Sequence, residues 1–165
     1  MSEHNADASF TCVVNGVETL IEGAPTTAVS MALRARGLFS VRETCGLGVC
    51  GTCTVLLDGE PVSACILPLY AVEGRSLRTA EGLERDGELT ELQKQFIAKQ
   101  AFQCSFCTPG FLMSGHALLE SADGELTEEA IVDGLQGHLC RCGCYASIKE
   151  AVGACARSAK CHGGG

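Results

Sequence analysis

Basic residues are scarce in this chain. Lysine and arginine together number 12, against 20 aspartates and glutamates, for a formal net charge of −8. Such a balance leaves no basic patch for nucleic-acid binding and disfavours anionic membrane surfaces. No stretch approaches the roughly 18 apolar residues that a membrane span requires. The N-terminus, residues 1–9, is polar and acidic. It has neither the charged-then-apolar pattern of a secretion signal nor a twin arginine, so the expected location is cytoplasmic. A hydrolase nucleophile motif, a phosphate-binding loop and a dinucleotide fingerprint are also missing. A centre that converts substrate is therefore expected on another chain. Tryptophan is absent and aromatics make up only 5%, but hydrophobic residues at 46% still permit a packed core.

Cysteine and glycine are abundant instead, at 12 and 20 residues. Without a secretion signal the thiols are expected to stay reduced, and cysteine clusters then read as metal sites rather than disulfides. Eight of the twelve fall into two sets of four. The first is Cys45, Cys50, Cys53 and Cys65, with the C-x4-C-x2-C…C spacing of a plant-type 2Fe–2S site. Three thiolates must converge from one loop, and Gly46, Gly48 and Gly51 let that loop wrap a cluster with its backbone N–H groups turned inward. A zinc ribbon prefers two C-x2-C knuckles, and this set has one.

The second set is Cys104, Cys107, Cys140 and Cys142. On spacing alone, C-x2-C with a distant C-x-C can hold zinc as well as iron–sulfur. Each pair is expected at a helix N-terminus, which lowers thiol pKa and favours an anionic centre. Two oxidised 2Fe–2S clusters, each about −2 with its thiolates, would bring the net charge to about −12. Two clusters in one small chain imply a relay for single electrons.

The chain is expected to divide near residues 82–87, into a domain over residues 1–82 and a second over residues 88–160. The first half reads as strands. Residues 10–14 and 17–21 flank Asn15-Gly16, and residues 53–57 and 61–66 flank Asp58-Gly59, with Glu60 lengthening the second turn. Cys65 is placed on the strand after that turn. A helix is expected over residues 27–36, ended by Gly37, and a closing strand over 76–79. The second half reads as helices: residues 90–99, a helix capped by Thr108 with Pro109 at its first position, one capped by Thr127, and one over 145–156. The acidic run over residues 81–91 reads as a solvated linker. Cys12 and Cys155 are expected to pack as small hydrophobes. Cys161 is expected to be an idle thiol in a disordered tail. His116 and His138 are expected to pack or face solvent rather than bind metal, and Arg141 can offset an anionic cluster.

The runs Gln103-Cys104-Ser105-Phe106-Cys107-Thr108-Pro109-Gly110 and Leu139-Cys140-Arg141-Cys142, followed by Tyr145 and Ile148, resemble the iron–sulfur subunit of the molybdenum hydroxylases, the xanthine oxidase and aldehyde oxidoreductase family. The resemblance extends over residues 10–152. It implies an α+β chain: a plant-ferredoxin-like β-grasp domain, then a C-terminal four-helix bundle holding the second 2Fe–2S cluster. It implies a large partner subunit with the molybdopterin cofactor and the substrate site, and a medium subunit with FAD, in a heterotrimer or a dimer of heterotrimers. It implies that Gln103 and Cys142 contact the pyranopterin. Substrates in such a family include N-heteroaromatics and aldehydes. Two departures stand out. Ser105 occupies a position where the family usually has glycine, and Gly143-Cys144 replaces Thr-Gly; Cys144 is an alternative to Cys142 as a ligand, but Cys140 and Cys142 are kept as the expected pair, with Cys144 packed beside them. The alternative function is a free-standing two-cluster electron carrier, which would have no use for Gln103. A zinc-binding interaction module is a third reading.

Overall fold

The computed structural model describes residues 8–84, 86–122, 124 and 126–158. A five-stranded sheet forms first in the chain, in the order β2-β1-β5-β3-β4. β1 (Ala8–Val14) and β2 (Val17–Gly23) make an antiparallel hairpin. Its turn residues, Asn15 and Gly16, both have positive φ, 50° and 82°, the backbone that matches strand twist in a two-residue turn. β3 (Thr54–Leu57) and β4 (Glu60–Ser63) form the second hairpin, and β5 (Ser76–Arg78) runs parallel to β1 and antiparallel to β3. Helix α1 (Val29–Ala35) lies between β2 and β3 in the chain. This is the expected β-grasp arrangement.

Three local expectations are corrected. Glu60 pairs directly opposite Leu57, so the second turn has only two residues. The Asp58 carboxylate holds it tight by accepting from the Ser76 N–H at 2.8 Å and from Arg75 Nε at 2.6 Å. β4 ends at Ser63, and Cys65 lies beyond it rather than on it. There the Ile66 N–H turns back to the Ser63 carbonyl and the Ala64 N–H reaches the Cys53 carbonyl. α1 starts at Val29 because Ala28 is held extended by a bridge to Pro68. Its end matches expectation: Gly37, at φ 86°, donates its N–H to the Arg34 carbonyl.

Four helices follow: α2 (Glu91–Ala98), α3 (Thr108–Ser121), α4 (Glu128–Gly134) and α5 (Tyr145–Ala156). Thr90 caps α2 in a reciprocal box with Gln93, satisfying two otherwise unpaired donors. The Thr127 hydroxyl accepts the Ala130 N–H, with Glu128 and Glu129 in the first turn, where their charge complements the helix dipole. At α3 the cap is Cys107 rather than Thr108, and Pro109 falls at the second helical position. The Cys107 carbonyl already accepts the Phe111 N–H, so the helix begins one residue early and carries a cysteine at its N-terminus.

There are two apolar cores. Val29, Leu33, Val55, Leu57, Leu69, Val72 and Leu77 fill the one under the sheet. Phe96, Phe111, Met113, Ile131, Ile148 and Val152 are among those filling the one between the helices. β3 serves both: Val55 and Leu57 point into the first, Leu56 into the second, the alternation a strand imposes. The expected linker is anchored, not merely solvated. Leu83 is buried in the helical core, and Glu81 accepts hydrogen bonds from Ser40 and Thr79. Cys12 is buried in the sheet core. Cys155 is buried too, but it is disulfide-bonded rather than a free packing thiol. Cys161 and the tail after it lie outside the described residues. No described helix is long and apolar enough to cross a membrane.

Candidate metal centres

The loop of residues 45–53 leads into β3 and carries three of the first four cysteines. Its glycines are required by geometry. At Gly48, φ 73°, an added Cβ would lie 2.6 Å from Ile66 Cδ1; at Gly51, φ 70°, it would lie 2.5 Å from His138 Cδ2 and 2.7 Å from the Gly137 carbonyl oxygen. The Cys45 thiol meets that of Cys50, and the Cys53 thiol meets that of Cys65 while also feeling Cys50. The Leu47 N–H donates to Cys45 Sγ at 3.4 Å. That bond, then those from the Val49 N–H and the Cys50 thiol, brings the Cys45 pKa down to about 6. Burial pushes Cys53 the other way, up to about 11. Thr52 Oγ1 sits 3.3 Å from Cys50 Sγ and 2.9 Å from Thr44 Oγ1.

In the second set Cys140 meets the thiols of both Cys107 and Cys144. Cys142 Sγ lies 3.5 Å from Cys104 Sγ, and Cys107 pairs with Cys140. Burial, then the Cys140 thiol, pushes Cys107 up to about 12. At Cys140 burial raises the pKa, but the Cys144 N–H and the Cys107 thiol outweigh it, and the net shift is downward. The Cys144 N–H reaches Cys140 Sγ at 3.3 Å. The Cys140 N–H in turn donates to the Tyr145 hydroxyl at 2.8 Å. Ser105 has φ 61°, a backbone that glycine adopts without strain and that costs other residues about 1–2 kcal/mol. This accounts for glycine at that position in the resemblance. Gln103, Cys104, Phe106 and Arg141 are exposed around this loop, and Cys142 is half-buried.

Paired thiolates suit a dinuclear centre, in which each of two irons takes two of them and sulfides bridge the irons. A single tetrahedral ion needs all four around one point. Among the described residues no group of three or more His, Cys, Asp or Glu converges on one ion position. Each set supplies four thiols, the donor number that a 2Fe–2S cluster takes.

The two loops touch. The Leu139 N–H donates to the Cys50 carbonyl at 3.0 Å, joining a residue next to Cys140 to a cysteine of the first set. His138 is wedged between them, 3.2 Å from both Thr54 Oγ1 and Ser114 Oγ, with its ring 4.9 Å from that of Phe111. Its Nδ1 lies 3.3 Å from the Gln136 carbonyl. Carbonyls of Gln136, Leu135 and Gly110 also face the ring, and a carbonyl only accepts, so the imidazole N–H donates to one of them. His138 thus packs, as expected, though between the loops rather than within a helix. His116 lies elsewhere, 3.1 Å from Glu120 and 3.0 Å from Arg78.

Burial lowers the His138 pKa below its ordinary 6.5, against the opposing pull of the Gln136 carbonyl. The unfolded chain then binds this proton more readily than the folded one. The neutral wedge contributes stability that is complete above about pH 6.5 and lost as pH falls through the lower folded value. The loaded protein should lose more Tm between pH 7 and pH 5.5 than its His138→Gln variant. Equal losses in thermal unfolding would show that the histidine contributes nothing.

Neither motif search nor spacing pointed to Thr52, to Arg42 or to the seat of His138. Thr54 and His138 are 84 residues apart in sequence, and no local pattern reports such a contact.

Comparison with known proteins agrees with the geometry. Residues 12–83 match the 2Fe-2S iron-sulfur cluster binding domain family, and residues 79–153 match the [2Fe-2S] binding domain family. The chain is 37% identical over 156 residues to the xanthine dehydrogenase iron-sulfur-binding subunit of Escherichia coli O157:H7, covering 94% of this chain and 98% of that one. It is 47% identical over 115 residues to the nicotine 6-hydroxylase small subunit of Paenarthrobacter nicotinovorans, covering 70% and 68%. Among solved structures, quinoline 2-oxidoreductase from Pseudomonas putida 86 superposes with a TM-score of 0.85 at 32% identity, covering 93% of this chain and 98% of the matched one.

Proposed function

Because the chain belongs to the iron–sulfur subunits of the molybdenum hydroxylases, we propose that it relays single electrons from a molybdopterin centre on a large subunit to FAD on a medium subunit. As a member of that family it is the electron-transfer component of an oxidoreductase whose catalytic site lies on a partner chain. A 2Fe–2S cluster supplies the capacity to take and give one electron at a time; this chain supplies ligands, spacing and surroundings.

Cys45, Cys50, Cys53 and Cys65 hold one cluster, in a domain of residues 1–82. Cys104, Cys107, Cys140 and Cys142 hold the other, in a domain of residues 88–160. The observation that carries this is the 3.5 Å approach of Cys142 Sγ to Cys104 Sγ, with thiol contacts of Cys45 to Cys50, Cys53 to Cys65 and Cys107 to Cys140 beside it. Cys144 is read as a packed cysteine beside the set rather than a ligand, although it meets Cys140 through both its N–H and its thiol.

Electrons enter at the C-terminal set. Exposed Gln103 beside exposed Cys104, with half-buried Cys142, offers an amide and a thiolate to the pyranopterin. Phe102, Phe106, Leu139 and Tyr145 are exposed in the same segments and suit burial by the large subunit. They leave from the N-terminal set, where Leu47, Val49 and Ile66 are exposed and suit the medium subunit. A heterotrimer or a dimer of heterotrimers in the cytoplasm follows. Xanthine, nicotine and quinoline, the compounds named in the three relatives, all carry a ring nitrogen, which favours an N-heteroaromatic substrate over an aldehyde.

The test is purification with its neighbours. The chain should co-elute with two larger chains and molybdenum, carrying about four irons per chain. In that complex Gln103→Ala should slow substrate oxidation about tenfold, the loss of about 1.4 kcal/mol of positioning, while both cluster signals persist. A stable monomer with full clusters and no partner would establish the free-standing carrier instead. Zinc without iron would end the cluster reading.

A further inference from the structure

Arg42 lies just before the first cysteine loop and is tied into it. Its N–H donates to the Thr52 carbonyl at 3.2 Å, and its carbonyl accepts the Thr52 hydroxyl at 3.3 Å. Thr52 stands between Cys50 and Cys53. The guanidinium points the other way and sits 5.4 Å over the ring of Phe106, which stands between Cys104 and Cys107. One cation therefore spans the loops of both cysteine sets.

Its surroundings are unusual for an arginine. The Nε is buried and has no hydrogen-bond acceptor among the described residues. The adjacent carboxylate, Glu43, is turned away to the Ser30 hydroxyl at 2.7 Å and toward Arg34 at 4.0 Å. Arg42 as a whole is half-buried, but a buried N–H of a charged group without an acceptor is destabilising, and a cation–π contact offsets only part of that. Negative charge on both sides would compensate the rest. Two oxidised clusters of about −2 each supply it, and each gains a further negative charge on reduction.

We propose that Arg42 is an electrostatic bridge between the two centres: a guanidinium anchored in the N-terminal loop and seated on the C-terminal one, which favours reduction at both. This rests on the cluster assignment above. The charge acts through space, so Arg42 is a positioning and tuning residue rather than a ligand. A shared cation also keeps the two potentials moving together when the local surroundings change, which suits a relay whose members must stay close in energy.

The full chain, loaded with iron and sulfide, is titrated anaerobically with dithionite while the electron paramagnetic resonance signal of each reduced cluster is followed. Arg42→Met, which removes the charge at similar length, should lower the equilibrium constant for one-electron reduction about fivefold at each centre, or about 40 mV at 59 mV per tenfold. Arg42→Lys should stay within a factor of about two of the wild type at the N-terminal centre. Phe106→Leu keeps the charge but releases it from the second loop; it should lower the constant at least twofold at the C-terminal centre and leave the N-terminal one unmoved. If Arg42→Met loads both clusters and either potential is unchanged, the bridge is overturned. If Arg42→Met does not load, Phe106→Leu decides, and unmoved or equally shifted potentials at both centres overturn the proposal. Wild-type iron and sulfide content separates the two ideas: an iron-free chain sinks the cluster assignment, whereas loaded clusters indifferent to Arg42 sink only the bridge.

Discussion

Replacing Gly110 with alanine should drive the two cysteine loops apart and lower stability by about 3 kcal/mol, a fall in Tm on the order of 10 °C. An added Cβ at Gly110 would lie 2.1 Å from the Gly51 carbonyl oxygen and 3.2 Å from His138 Cδ2. Both glycines are buried, and the obstacle is backbone, so no side-chain rotation relieves it. Either α3 or the first cysteine loop must shift. That shift would strain the Leu139 to Cys50 hydrogen bond and the seat of His138, which hold the loops together. Gly59→Ala is the control. It places a Cβ at φ 91° with nothing within 4 Å, and should cost only the about 1–2 kcal/mol of a left-handed residue. Thermal unfolding of the loaded variants compares the two. If Gly110→Ala loses no more Tm than Gly59→Ala, the close approach of the loops does not matter to stability.

Cys107→Ser should abolish the C-terminal cluster and leave the N-terminal one, halving iron and sulfide per chain. Cys107 caps α3 and is buried, with its thiol paired to Cys140. A serine hydroxyl, which titrates far above a thiol, would have to lose its proton in the same apolar setting to bind iron. Cys53→Ser should do the reverse, removing the N-terminal signal and sparing the other. Cys144→Ser should do neither. Cys144 meets Cys140 through its backbone N–H, 3.3 Å from Sγ, and through its thiol, and serine keeps the backbone donor. Metal analysis and the resonance signals of the reduced clusters read all three variants. A lost signal in Cys144→Ser would make Cys144 a ligand in place of Cys142, and two intact clusters in Cys107→Ser would remove it from the set.

Elements governed by neighbours in sequence were legible without coordinates. Asn15-Gly16 made a two-residue turn because both residues accept positive φ. Thr127 made a cap because a hydroxyl three residues from a free N–H needs nothing else. The bounds of α5, and the two sets of four cysteines, were readable in the same way. Errors came where a distant part of the chain intervened. Cys65 left its strand to turn back toward Cys53, and α1 lost its first residues to a bridge between Ala28 and Pro68. Leu83 left the expected linker for the helical core.

By itself, then, the sequence determined which atoms are available: eight thiols in two groups, glycines where a loop must wrap, and too few basic residues for nucleic acid. Only the tertiary structure decided how they are used. It brought Cys142 Sγ within 3.5 Å of Cys104 Sγ, and it placed Cys144 against Cys140. It also brought Gly51, Gly110, His138 and the Arg42–Phe106 contact to one seam. The reason is physical. Ligand identity depends on side-chain chemistry and local spacing, which are written along the chain. The distance and electrostatic field between two centres depend on packing of segments tens of residues apart, and packing is a property of the folded whole.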